Sequence, residues 1–86
     1  MSILQDAQDN WPEDEASITA DIYDDQMTES AGYPDECMWA RETLKKSAAH
    51  MRKVFSREPD AAELIRRYDA ALNQNLVAAG YAALES

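Results

Sequence analysis

The stretch PDAAELIRRYDAALNQNLVAAGYAAL, residues 59–84, decides the fold class. Apolar residues recur in it at Ala61, Leu64, Ile65, Tyr68, Ala71, Leu72, Leu76, Ala79 and Ala83. Those steps of three and four place one stripe on a helix of 3.6 residues per turn. The opposite face carries Glu63, Arg66, Arg67, Asp69, Asn73 and Gln74. The spacing predicts one amphipathic helix over 59–84, about 37 Å long at a rise of 1.5 Å per residue. Its last part, Val77 to Leu84, is apolar almost all round apart from Gly80. A helix end of that kind is buried or meets another chain.

Upstream, each of the three prolines is followed by an acid: Pro12-Glu13-Asp14, Pro34-Asp35-Glu36 and Pro59-Asp60. Proline is tolerated in the first turn of a helix, and acids there meet the positive end of the helix dipole. Each proline therefore marks a helix start. Asp60 and Glu63 have the spacing of a capping box.

The segment from Pro34 to Phe55 has its stripe at Cys37, Ala40, Leu44, Ala48, Met51 and Phe55, flanked by Trp39 and Val54. Its polar face carries Arg41, Lys45, Lys46, Arg52 and Lys53. The short connector 56–58 predicts an antiparallel hairpin with the final helix. Over 12–28 a narrower stripe runs through Trp11, Glu15, Ile18, Ile22 and Gln26, with Ala16, Tyr23 and Met27 beside it. Many Asp and β-branched residues make that helix weak alone, so it must lean on the hairpin. Gly32, in the linker 29–33, is a plausible stop. Residues 1–11 form a short arm, with one or two helical turns through Ile3, Leu4 and Ala7 as the alternative. The expected architecture is all-α. It is a single domain of 86 residues, a small antiparallel bundle of helices near 12–28, 34–55 and 59–84. The acidic helix and its linker (12–33) cover a helical hairpin (34–86).

Charge is distributed very unevenly. The formal net charge is −9. Residues 1–40 contain eleven acidic residues and no Lys or Arg, while residues 41–86 hold eight basic against six acidic residues, or +2. Self-repulsion in the first part costs stability. Either the two parts pair internally, or the field serves a partner.

The candidates for chemistry are few. His50 stands alone, with no nucleophile or orienting acid identifiable for it, and reads as a surface or boundary residue. Cys37 is the single cysteine, so no intramolecular disulfide forms, and it reads as a core thiol. With no long apolar run and no basic N-terminal leader, the setting expected is cytoplasmic. The carboxylates lack calcium-loop spacing, no Glu-x-x-His motif is present, and there is neither zinc spacing nor a phosphate-binding glycine loop. The expectation is a non-enzyme with no metal and no cofactor. Direct nucleic-acid binding is opposed by the net charge despite the basic face of 41–53.

The acidic part remains. Acids on a rigid helix keep a small protein soluble. They also imitate phosphates along a strand, and so fit a basic nucleic-acid-binding groove. The absence of any Lys or Arg over forty residues favours docking on a basic partner protein or complex, through Glu13, Asp14, Glu15, Asp21, Tyr23, Asp24, Asp25, Asp35 and Glu36. Trp11, Tyr23, Tyr33 and Trp39 are either anchors in such a contact or core. Short acidic chains without catalytic motifs have the profile of inhibitors carried by phages and mobile elements. The alternative is a helical assembly or regulatory subunit, antitoxin-like or scaffold, that forms a homodimer or binds its partner through the apolar C-terminal helix.

Overall fold

The computed structural model describes residues 10–84, which fold as three helices with no strand: α1 (Trp11–Glu29), α2 (Pro34–Phe55) and α3 (Ala61–Ala78). The arm expected over 1–11 lies outside the described residues but for Asn10 and Trp11. Pro12 and Pro34 each stand in the first turn of their helix, followed by acids, as their spacing predicts. Pro59 does not. It lies in the connecting turn, and α3 begins at Ala61. Asp60 makes no side-chain cap, and Glu63 pairs with Arg66 on its own helix instead of completing a capping box.

α2 runs antiparallel to both neighbours. Trp11 and Tyr23 of α1 meet Phe55 and Arg41 of α2, while Arg52 and Arg41 meet Asp69 and the segment after α3. α1 and α3 therefore run the same way. α1 makes its most extensive contact with α3 and the next with α2, whereas α2 and α3 touch each other least. The expected hairpin stands antiparallel, but the helix that organises the bundle is the acidic one. Ala16 and Ala20 have almost no side chain, so α1 approaches both neighbours closely.

The core consists of Ala16, Ala20, Tyr23, Ala40, Leu44, Ala48, Phe55, Tyr68, Leu72, Leu76 and Leu84. Full burial of a side chain such as Leu72 or Leu76 contributes roughly 1.5–3 kcal/mol. Phe55 is the aromatic hub. Trp11 packs edge-on to it at 4.8 Å, and Tyr68 lies tilted against it at 5.5 Å. The buried Tyr68 hydroxyl shares a 3.0 Å hydrogen bond with Thr19, whose own hydroxyl also lies 2.8 Å from the Glu15 carbonyl. Among the described residues no buried side-chain nitrogen or oxygen lacks a partner.

The α1 stripe expected through Ile18 and Ile22 is not the buried one. Pro12, Ala16, Thr19, Ala20 and Tyr23 face inward, and both isoleucines are 52% exposed. A branched side chain at position 16 or 20 would hold the helices apart. Close approach selects the small residues for the inner face, and the isoleucines fall outside it.

The final helix is shorter than the periodicity predicts. It stops at Ala78, with Gly80 at φ +93°. Tyr81 N–H donates to the Leu76 carbonyl at 2.9 Å and Gly80 N–H to that of Val77 at 3.0 Å, the paired closure of a Schellman motif. Residues 81–84 then fold back as a strap. Arg41 donates to the Ala82 and Ala83 carbonyls, Leu84 N–H donates to Asn73 Oδ1 at 2.8 Å, and Leu84 is buried.

Candidate functional site

The nine acidic-half residues expected at a docking face separate into two sets. Glu13, Tyr23 and Asp24 belong to the fold. Glu13 accepts two hydrogen bonds from Arg67 of α3, at 2.8 and 2.6 Å. These bonds hold its carboxyl below the usual range, with burial opposing. Asp24 accepts from the Tyr81 hydroxyl at 2.6 Å, and that bond, together with burial, pushes the Tyr81 phenol up. Tyr23 is buried edge-on to Tyr81 at 5.0 Å, with the Arg41 guanidinium 5.9 Å from its ring centroid. The Tyr68 phenol is also pushed up, by desolvation first, with the Thr19 hydrogen bond opposing.

Asp14, Asp21, Asp25, Asp35 and Glu36 are exposed and enter no ion pair among the described residues. Glu29 joins them, and Glu15 is half-buried at the same surface. On a helix, positions 14, 18, 21, 22, 25 and 29 share one face. The outer face of α1 is thus a row of free carboxylates with Ile18 and Ile22 set among them. No α2 base forms an ion pair with it among the described residues, although Lys46 borders it beside Glu15, Ile18 and Ile22. Arg41 is committed to the strap, Arg52 to Asp69 and Lys45 to Glu42. Glu13–Arg67 is the one ion pair that α1 makes among the described residues, and its base comes from α3.

Between this face and α2 runs an open groove. From one end to the other it is lined by Glu15, Ile18, Ile22 and Gln26 of α1 against Met51, His50, Ser47 and Thr43 of α2. It continues to Trp39, Glu29, Asp35 and Glu36. Trp39 is 62% exposed. Small residues, Thr43 and Ser47, form the middle of the α2 wall. Three carboxylates surround one end, and Lys46 and His50 flank the other.

Of the four aromatic residues proposed as anchors or core, Trp11 and Tyr23 pack inward while Tyr33 and Trp39 are exposed. Sequence reasoning missed Ile18, Ile22 and Thr43 as site residues. A signal existed, since 18 and 22 lie between acids at 14, 21 and 25. Cys37 is only half-buried, its thiol 3.3 Å from the Ser30 carbonyl. The apolar residues expected at a C-terminal contact surface point inward for the most part. Leu76 and Leu84 are core and Tyr81 packs against it, leaving Val77 exposed.

Among the described residues no group of three or more His, Cys, Asp or Glu is placed to hold a metal ion. None of the described helices is long and apolar enough to cross a membrane. No protein-family model, curated protein or solved structure matches the chain.

Proposed function

We propose that this protein is a non-enzymatic acidic binding module that docks the outer face of α1 and the start of α2 on a basic surface of a partner. The observation that carries this is the row of unpaired carboxylates at Asp14, Asp21, Asp25, Glu29, Asp35 and Glu36. Stability alone does not explain it, because like charges on one face repel. Six carboxylates on a rigid frame give an electrostatic contact that steers association and selects against acidic partners. A basic nucleic-acid-binding surface is the natural complement, and occupying it makes the module an inhibitor. The interleaved Ile18 and Ile22 refine this picture. A pure phosphate mimic has no use for apolar groups between its charges, so a basic protein surface with apolar patches fits better than a purely basic phosphate-binding track.

The test is affinity capture from native lysate at low and high salt, with an amide variant run beside the native chain. The variant carries Asp14→Asn, Asp21→Asn, Asp25→Asn, Asp35→Asn and Glu36→Gln. A basic partner held by the native chain and released by either salt or the variant supports docking through these acids. Capture of the same partners by the variant means that the acids serve only as a solvated face.

A further inference from the structure

The carboxylates account for charge recognition, but they leave the apolar groove beside them without a role. Ile18, Ile22 and Trp39 are among the few large apolar side chains more than half exposed. Ile18 and Ile22 line the pocket between α1 and α2 that ends at Met51, and Trp39 lines the adjoining one, which meets the first at Gln26. Elsewhere α1 packs with near-complete economy, its inner face made of Ala16, Ala20 and other buried residues. Within α1, Ile18 and Ile22 are the large apolar side chains left more than half exposed.

We propose that this groove receives a basic amphipathic helix of the partner, laid along α1 and α2 as a fourth helix. The inference rests on the docking reading above and gives it a binding element. The groove walls are two antiparallel helices, and rows spaced three and four residues apart present ridges and holes to a helix. Glu15 to Glu29 spans fourteen residues along α1, about 21 Å at 1.5 Å per residue, so the occupant needs roughly four turns. Thr43 and Ser47 are small and let a helix approach where Ile18 and Ile22 stand opposite. Trp39 supplies an aromatic anchor of the kind that dominates interface energetics.

Charge complementarity identifies the occupant. Asp14, Asp21 and Asp25 follow the outer ridge of the groove, and Glu29, Asp35 and Glu36 surround one end. The occupant carries Lys or Arg along the side that meets α1 and over that end. Leu, Ile or Met at positions i, i+3 or i+4, i+7 and i+11 meet, in order along the groove, Trp39, Ile22, Ile18 and Met51. A second copy of the chain is the wrong complement. It carries the same −9 and would bring the same acidic ridge to the contact.

The experiment uses a synthetic Leu/Lys/Arg peptide of about fourteen residues with that amphipathic spacing. A control peptide of identical composition has its leucines scattered. The chain has two tryptophans, so a Trp11→Phe background leaves Trp39 as the only reporter. The expected result is a blue shift of Trp39 emission, a gain of helical circular dichroism on mixing, and weaker binding by the control. Ile18→Ser with Ile22→Ser should weaken the amphipathic peptide by about tenfold or more, as loss of central anchors does. Both positions are half exposed, and far-ultraviolet circular dichroism verifies that the double variant is folded.

Equal binding of the two peptides, or an unchanged affinity in the double variant, overturns the groove as the docking element and leaves the charge-based reading standing. Failure of both peptides to bind also overturns it, and the capture experiment with the amide variant then decides the docking reading separately. Sedimentation that shows a dimer dissolved by Ile18→Ser with Ile22→Ser assigns the groove to a second copy and equally overturns the proposal.

Discussion

One helix, α1, presents two faces with opposite occupations. Its inner face is built from Ala16, Thr19, Ala20 and Tyr23, and its flanks bond to α3 and the segment after it at three levels, through Glu13–Arg67, Thr19–Tyr68 and Asp24–Tyr81. Its outer face holds Asp14, Ile18, Asp21, Ile22, Asp25 and Glu29, and contributes no ion pair within the described residues. The same residue types appear on both sides. Asp24 is engaged by Tyr81 while Asp25, one position on, is free. The difference teaches that burial here follows the separation of the helices. Small side chains go inward because α1 must approach two neighbours at once, and the isoleucines are left outside.

The comparison breaks most sharply at the inner face. Tyr68 is fully buried, joined to Thr19 and packed on Phe55. Tyr68→Ala should cost about 3–5 kcal/mol, the range for emptying an aromatic site in a core. Urea denaturation measures it, and a loss below about 1 kcal/mol would contradict the core assignment. Next comes Ala16→Ile, which adds a residue that hydrophobicity alone would favour. Overpacking at this contact should destabilise by about 1–3 kcal/mol. A neutral result would mean that α1 does not need its close approach.

The Glu13–Arg67 pair gives a smaller effect with a defined pH dependence. The folded-state pKa of Glu13 is lowered, so its contribution is complete above the ordinary Glu value of about 4.3 and disappears as pH falls through the folded value. Both side chains are partly exposed, which keeps the contribution below about 1 kcal/mol. The denaturation midpoints of native protein and Glu13→Gln should differ at pH 7 and converge as the pH falls through the lowered folded value. A difference that survives at the lower pH would show that the substitution acts through packing.

The smallest effect is expected on the outer face. Ile18→Ser with Ile22→Ser, or Asp14→Asn with Asp21→Asn and Asp25→Asn, should change stability by no more than about 0.5 kcal/mol per position. The amides should shift the midpoint upward if anything, because they relieve repulsion among like charges. A large loss from either set would join the outer face to the fold and remove the contrast between the two sides.

The two faces were not equally legible from sequence. The bounds of α2 could be read because Pro34 and its two acids start it, and the stripe from Cys37 to Phe55 keeps strict helical steps. The acids at 14, 21, 25, 35 and 36 could be expected at the surface, but nothing in sequence separated them from Glu13 and Asp24, whose partners Arg67 and Tyr81 lie far along the chain. The buried row of α1 was hidden because its members are Pro, Ala, Thr and Tyr, which carry less hydrophobic signal than the isoleucines beside them. The end of α3 was hidden too. Gly80 reads in sequence as a weak point in a long apolar helix, but at φ +93° it is the stop, and only the return of Tyr81 to Leu76 reveals it. The groove could not be read because its two walls lie about twenty-five residues apart in the chain, and each looks like ordinary helix.

The strap beyond Gly80 is held at its two ends by side chains, Tyr81 on Asp24 and Leu84 in the core, and at residues 82 and 83 by its main chain. Arg41 grips the carbonyls of residues 82 and 83, and Asn73 accepts the amide hydrogen of residue 84. The grip is indifferent to which side chains stand at 82 and 83, as a protease cleft is indifferent to parts of the peptide it threads. The tail can therefore change its composition at those two places and keep its path. Proline at 84, which has no amide hydrogen to give, would remove the bond to Asn73 and leave the two from Arg41.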